Sequence, residues 1–147
     1  MSSQTFAGVN ARSDVIDLMR SHGITPTQQR VEIAQALFAR PQHLSAEQVL
    51  ALVNRERHVV SKATIYNTLG LFAAKGLVRE IIIDPTKVFY DPTTRPHHHF
   101  YNVDSGELMD IDAESVALSS LPELPMGTVA EGVDVVIRIR NCRTPAE

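Results

Sequence analysis

The sequence predicts an α+β chain in two parts: a helical first half ending in a β-hairpin, and a smaller, strand-rich second part. Three observations carry this. Apolar residues recur at helical spacing up to about residue 76, and beyond Leu77 the spacing shortens to that of strands. Between the two parts lies Asp91-Pro92-Thr93-Thr94-Arg95-Pro96, with two prolines and no large apolar group. The 147 residues suffice for one ordinary domain or two very small ones. The expected division is an N-terminal domain over 1–90, a hinge over 91–96 and a C-terminal domain over 97–147.

Ser13 is placed to cap a first helix carrying Val15, Ile16, Leu18 and Met19, closed by Gly23. Thr25-Pro26-Thr27-Gln28 opens the next, with Thr25 at the N-cap, Pro26 at the first helical position and Gln28 completing a capping box. Val31, Ala34, Leu37 and Phe38 form its apolar face, and it must stop before Pro41. Ser45-Ala46-Glu47-Gln48 is a second capping box, followed by the buried stripe Val49, Leu52 and Val53. Ser61 caps a third strong helix with Ile65, Leu69 and Phe72 on one face and Gly76 at its end. Gly70 within it costs about 1 kcal/mol relative to Ala. Leu77–Asp84 and Lys87–Asp91 then flank the turn Asp84-Pro85-Thr86 as a hairpin. Three strong helices and a hairpin have the layout of a winged helix.

Beyond the hinge, Phe100–Val103 and Glu107–Ile111 flank the turn Asp104-Ser105-Gly106 as a second hairpin. A short helix is expected from about Ala113 to Leu121, ended by Pro122. Val133, Val135, Ile137 and Ile139 alternate along a third strand. So small a segment with few large apolar groups is marginal alone, and pairing with a second copy would remedy that.

Composition excludes several classes. Hydrophobic residues make up 44% and charged residues 21%, which argues against wholesale disorder. No apolar run reaches the roughly 18 residues of a spanning helix, so no membrane association is expected. Met1-Ser-Ser-Gln-Thr-Phe lacks the basic and apolar regions of a signal peptide, so a cytoplasmic location is expected. A single cysteine, Cys142, forbids an internal disulfide and any multi-cysteine zinc site within one chain. Residues 1–87 carry a formal charge of +3 and residues 88–147 one of −6, so only the first part suits a polyanion.

Ser45–Asn54 and Ser61–Lys75 have helix-turn-helix proportions, in which the start of the second helix enters the major groove of double-stranded DNA. The residues facing out there are Lys62, Thr64, Tyr66 and Asn67. Lysine suits phosphate or guanine, Thr and Tyr offer hydroxyls and apolar surface, and Asn pairs an adenine edge. Arg30, Arg55 and Arg57 are candidate phosphate contacts. An ordinary polar helix face has the same pattern.

His97-His98-His99 opens a strand, so His97 and His99 face one side and His98 the other. Imidazole is the commonest transition-metal ligand, two on one face form half a site, and Asp110 on the paired strand adds a hard oxygen. The triplet is therefore a candidate for a divalent metal or for haem iron, against the reading of a solvated strand start. His22 and His58 carry less, and Cys142 reads as a packed or surface residue. No Ser-His-Asp arrangement, phosphate loop or catalytic carboxylate pair stands out, so no enzymatic activity is expected. A small metalloenzyme and a ligand-independent DNA-binding dimer are the competing classes.

Gly-Ile-Thr-Pro-Thr-Gln-Gln-Arg (23–30), His-Leu-Ser-Ala-Glu-Gln-Val (43–49), Ala-Thr-Ile-Tyr-Asn-Thr-Leu (63–69) and the His triplet together resemble the ferric uptake regulator (Fur) family. The resemblance runs from about Ser13 to Cys142. Tyr66-Asn67, Phe89-Tyr90-Asp91 and His-His-His-Phe look most like the iron response regulators (Irr) of alphaproteobacteria. It implies a winged-helix DNA-binding domain, a small α/β dimerisation domain, and a homodimer on palindromic promoter DNA. It also implies an interdomain metal site on His43, His97, His99 and Asp110, Asp standing where Glu is usual. A further Glu ligand of the family falls on Tyr90, with Asp91 next to it. The family's second site is poorly kept at Pro96, His98 and Asp134, and its Cys-type structural zinc is gone, with Asn102 and Ser105 in place of one Cys pair. In Irr-like proteins the triplet is associated with haem, which here would rest on His97, His98 and His99, since no Cys-Pro dipeptide is present. The expected function is transcriptional regulation of iron-homeostasis genes, with iron sensed through haem or directly bound metal; the expected cofactor is haem or a divalent Fe, Mn or Zn ion. The alternative is a manganese-, zinc- or peroxide-responsive repressor of the same family.

Overall fold

A computed structural model describes residues 11–57, 60–95 and 97–142. His58 and Pro96, each named above, fall outside them. The chain divides after Arg95 into two compact units.

The first unit begins with four helices: α1 (Arg12–Ser21), α2 (Gln28–Phe38), α3 (Ala46–Val53) and α4 (Lys62–Ala74). α1 starts before Ser13, which therefore lies inside the helix; Ala11 is its N-cap and makes no side-chain cap bond. Gly23, at φ 74°, closes α1, and Ile24 N–H reaches back 3.0 Å to the Met19 carbonyl. That turn buries Ile24.

α2 begins two residues later than the threonine-proline pattern predicts. Thr27, not Thr25, is the N-cap and accepts from Arg30 N–H at 3.2 Å. Arg30 Nη1 meanwhile donates to the Thr25 carbonyl at 2.8 Å, holding that residue outside the helix. The two remaining caps follow the sequence. Ser45 and Gln48 close a reciprocal capping box on α3, and Ser61 accepts from Thr64 N–H on α4. Val15, Met19, Val31, Ile33, Leu37, Val49, Ile65, Leu69 and Phe72 meet in one core. Burying such side chains contributes roughly 1.5–3 kcal/mol each.

A three-stranded antiparallel sheet completes the unit, with β1 (Leu44–Ser45), β2 (Arg79–Asp84) and β3 (Lys87–Asp91) in the order β1-β3-β2. Leu44 pairs with Tyr90 and Ser45 with Phe89, so the chain just before β1 runs beside the end of β3. This is a winged helix.

The second unit holds β4 (His98–Asn102), β5 (Leu108–Ile111) and β6 (Val136–Ile139), ordered β5-β4-β6. β5 is antiparallel to β4, while β6 is parallel to it. The helix expected over 113–121 is absent: only a 3₁₀ turn, Ala113–Ser115, forms. Short helices depend on packing an apolar face, and residues 117–134 are exposed throughout. The alternation from Val133 is likewise realised as a strand only from Val136.

Candidate functional site

Two histidine–carboxylate groups stand out, one in each unit. In the first unit, the pairing of Leu44 with Tyr90 brings His43, the residue before β1, opposite Asp91, the last residue of β3. His43 Nε2 lies 3.2 Å from Asp91 Oδ2. Asp91 is only 2% exposed, and its other oxygen accepts from Thr93 N–H at 2.8 Å. That bond is an Asx turn into Pro92-Thr93, and it leaves Oδ2 facing the imidazole.

In the second unit, strand alternation puts His97 and His99 on one side, their ring centroids 4.5 Å apart. The β4–β5 register sets Asp110 directly opposite His99. Asp110 Oδ1 lies 3.2 Å from His97 Nε2 and 3.4 Å from His99 Nε2. The His97 and His99 side chains are 8% and 0% exposed, whereas that of Asp110 is 57% exposed. His98 points the other way, where its Nδ1 accepts from the N–H of Val135, the residue before β6, at 3.0 Å.

Two imidazoles and a carboxylate converging within 4.8 Å form a donor set of mixed hardness, suited to Mn, Fe, Co or Zn. His43 and Asp91 offer a second set of the same chemistry. Asp91 was not in the ligand set inferred from sequence. Its signal was present in Asp-Pro-Thr, an Asx-turn pattern, but its partner became visible only once β1 and β3 were paired. Tyr90, which takes a usual ligand position, does something else. Its ring belongs to the core of the first unit. Burial first, and then the Glu80 carboxylate, push its phenol up to about 12.

The residues expected to meet DNA lie on α4 as the spacing implied, with one exception. Lys62, Tyr66 and Asn67 are exposed, while Thr64 is half-buried and its hydroxyl accepts from Ser61 Oγ at 3.0 Å. Arg55 and Arg57 are exposed, and Arg30 is held by the Thr25 carbonyl. One structural residue escaped the sequence reading. Asn54 closes the connection between α3 and α4, donating to the Val60 carbonyl at 2.7 Å and accepting from its N–H at 2.9 Å.

Where a Cys pair would sit, Asn102 occupies the centre of an amide network. Its Oδ1 accepts from the N–H groups of Asp104 and Ser105 at 2.9 and 3.1 Å, and its Nδ2 donates to Asn141 at 2.9 Å. Asn141 N–H in turn donates to Asp104 at 2.9 Å. Cys142 is exposed beside it.

The sequence profile of the ferric uptake regulator family matches residues 21–121. The chain belongs to that family. Among curated relatives, it is 30% identical over 97 residues to the peroxide-responsive repressor of Staphylococcus saprophyticus, covering 66% of each chain. A peroxide-responsive repressor of Staphylococcus aureus is 29% identical over 92 residues, 63% of this chain and 62% of that one. The chain thus spans just under two thirds of these relatives' lengths. Among solved structures, the ferric uptake regulator of Pseudomonas aeruginosa with manganese is 28% identical, with a TM-score of 0.62 over 85% of this chain and 96% of that one. The Vibrio cholerae ferric uptake regulator shares the fold at 18% identity, with a TM-score of 0.65 over 86% of this chain and 98% of that one. Among the described residues no helix is long and apolar enough to cross a membrane.

Proposed function

We propose that this chain is a cytoplasmic, homodimeric regulator that binds double-stranded promoter DNA of iron-homeostasis genes and senses iron as a directly bound divalent ion. The observation that carries the reading is the twin histidine–carboxylate chemistry: His43 with Asp91, and His97 and His99 with Asp110. As the family resemblance implies, the ligands in this proposal are His43, His97, His99 and Asp110, with Asp91 beside His43 as a further carboxylate. Such an ion would neutralise the two carboxylates and favour one arrangement of the units. It changes DNA affinity only to the extent that the DNA-competent arrangement binds it better. DNA is met by α4 through Lys62, Tyr66 and Asn67, with Thr64 beneath them and Arg30, Arg55 and Arg57 toward phosphates.

Haem, the other ligand suggested by the Irr-like triplet, would need His97, His98 or His99 as an axial ligand. The burial of His97 and His99 supports a bare ion over a porphyrin. A second reading follows from the relatives. The curated ones are peroxide-responsive repressors and the Pseudomonas aeruginosa structure is described with manganese, which favours a manganese-, zinc- or peroxide-responsive repressor. One experiment separates these. Purified protein is titrated with duplex DNA alone and with Fe(II), Mn(II), Zn(II), haem, or Fe(II) followed by peroxide. Direct iron sensing requires Fe(II) to change the affinity and His43→Ala to remove the change. A response to haem alone, kept by His43→Ala and lost when His97, His98 and His99 are all replaced by Ala, would sink it. Abolition of the Fe(II) response by peroxide would move the protein to the second reading.

A further inference from the structure

The side chain of Tyr66 is 42% exposed on α4, yet its hydroxyl donates to Glu47 Oε2, a residue of the preceding helix. Both ends of this contact are anchored. Glu47 follows the N-cap of α3, where Ser45 N–H donates to Gln48 Oε1 at 2.9 Å and Gln48 N–H to Ser45 Oγ at 3.2 Å. Tyr66 lies just beyond the Ser61 cap of α4, and Ile65 and Leu69 pin that helix in the core. Asn54 fixes the connection between the two helices. The charge state is equally defined. The Tyr66 hydrogen bond is the main cause holding the Glu47 carboxyl below its usual range, and the same bond raises the Tyr66 phenol. At neutral pH the pair is therefore a carboxylate and a protonated phenol.

We propose that Glu47 is a positioning residue that makes Tyr66 an acceptor-only reader of base edges. A phenol has one proton and two lone pairs. With the proton committed to Glu47, the oxygen offers the major groove only a lone pair. The groups that can donate to it there are the amino groups of adenine and cytosine, whereas thymine O4 and guanine O6 are acceptors and are repelled. Tyr66 thus selects adenine or cytosine at the position it touches. This inference rests on the proposed DNA-reading function and adds to it a chemical rule for one base position.

The test uses the full chain loaded with Mn(II) and a duplex library with a randomised core. Selected sites are re-measured with all four bases at each position, and the Tyr66 position is the one whose preference Tyr66→Phe flattens. At that position wild type should favour adenine or cytosine over guanine or thymine about fivefold, the value of roughly one hydrogen bond. Glu47→Ala, which frees the phenol proton, should bring the preference below about twofold. Glu47→Gln keeps an accepting oxygen and should retain it. Both variants remove one negative charge and should raise affinity for nonspecific duplex alike, so the base preference separates positioning from electrostatics. The inference is overturned if Glu47→Ala keeps the wild-type preference, if Tyr66→Phe flattens no position, or if guanine or thymine is favoured there. Binding of every duplex with equal affinity would overturn the DNA-reading function itself, and this rule with it.

Discussion

Asp91 and Tyr90 are neighbours on β3 with opposite fates. Strand alternation turns Asp91 toward His43 and Tyr90 into the core, so only Asp91 is available as a ligand. Replacing Asp91 by Asn should lower Mn(II) affinity more than tenfold, read by calorimetric titration, while Tyr90→Phe should leave it unchanged. Tyr90 has its own signature. Its folded phenol titrates at about 12, above an unfolded value near 10. Below pH 10 both states are protonated and its contribution is fully present. Between 10 and 12 the unfolded chain ionises first, so stability falls as pH rises, and the contribution is lost above 12. Urea midpoints measured from pH 9 to 11.5 should fall less steeply for Tyr90→Phe than for wild type. An unchanged slope would show that Tyr90 is not the group responsible. In the second unit, Asn102→Ala removes three hydrogen bonds around a buried amide and should cost about 1–3 kcal/mol in denaturant unfolding.

At the scale of elements, the caps separate what local chemistry decides from what it does not. Ser45 and Ser61 were legible because each hydroxyl has a backbone N–H three residues on and no rival. Ser45→Ala and Ser61→Ala should each destabilise the protein by about 1 kcal/mol, measurable by chemical denaturation. Thr25 and Thr27 were both plausible caps. The choice between them came from the burial of Ile24 and from the Arg30 bond to Thr25, neither of which the spacing reveals. The helix expected over 113–121 failed for the opposite reason: its apolar residues had the right spacing but no surface within the unit to pack against. The His triplet was legible in full, since alternation alone places His97 and His99 together and His98 apart.

The whole molecule raises the question of what covers the second unit. Its buried apolar residues among those described are Tyr101, Leu108 and Ile111, while Leu118, Leu121, Leu124, Met126, Val129 and Val133 are exposed. A second copy laid against 117–134 is the cover the proposed homodimer supplies. Leu121→Asp combined with Val129→Asp should shift sedimentation from dimer to monomer by at least tenfold in dissociation constant. Cys142→Ser, touching an exposed thiol, should leave the dimer intact. A monomeric Cys142→Ser protein would reveal a thiol bridge between copies. By itself the sequence determined the winged helix, the hairpin of the second unit, the outward face of α4 apart from Thr64, and the pairing of His97 with His99. All of these follow from periodicities and caps that span only a few residues. Tertiary structure alone decided that Asp91 joins His43, that Asn54 clamps the connection to α4, and that Glu47 accepts the hydrogen bond of the Tyr66 hydroxyl. Each of these joins residues distant in sequence, or on different elements, whose meeting depends on strand register and helix packing rather than on any local spacing.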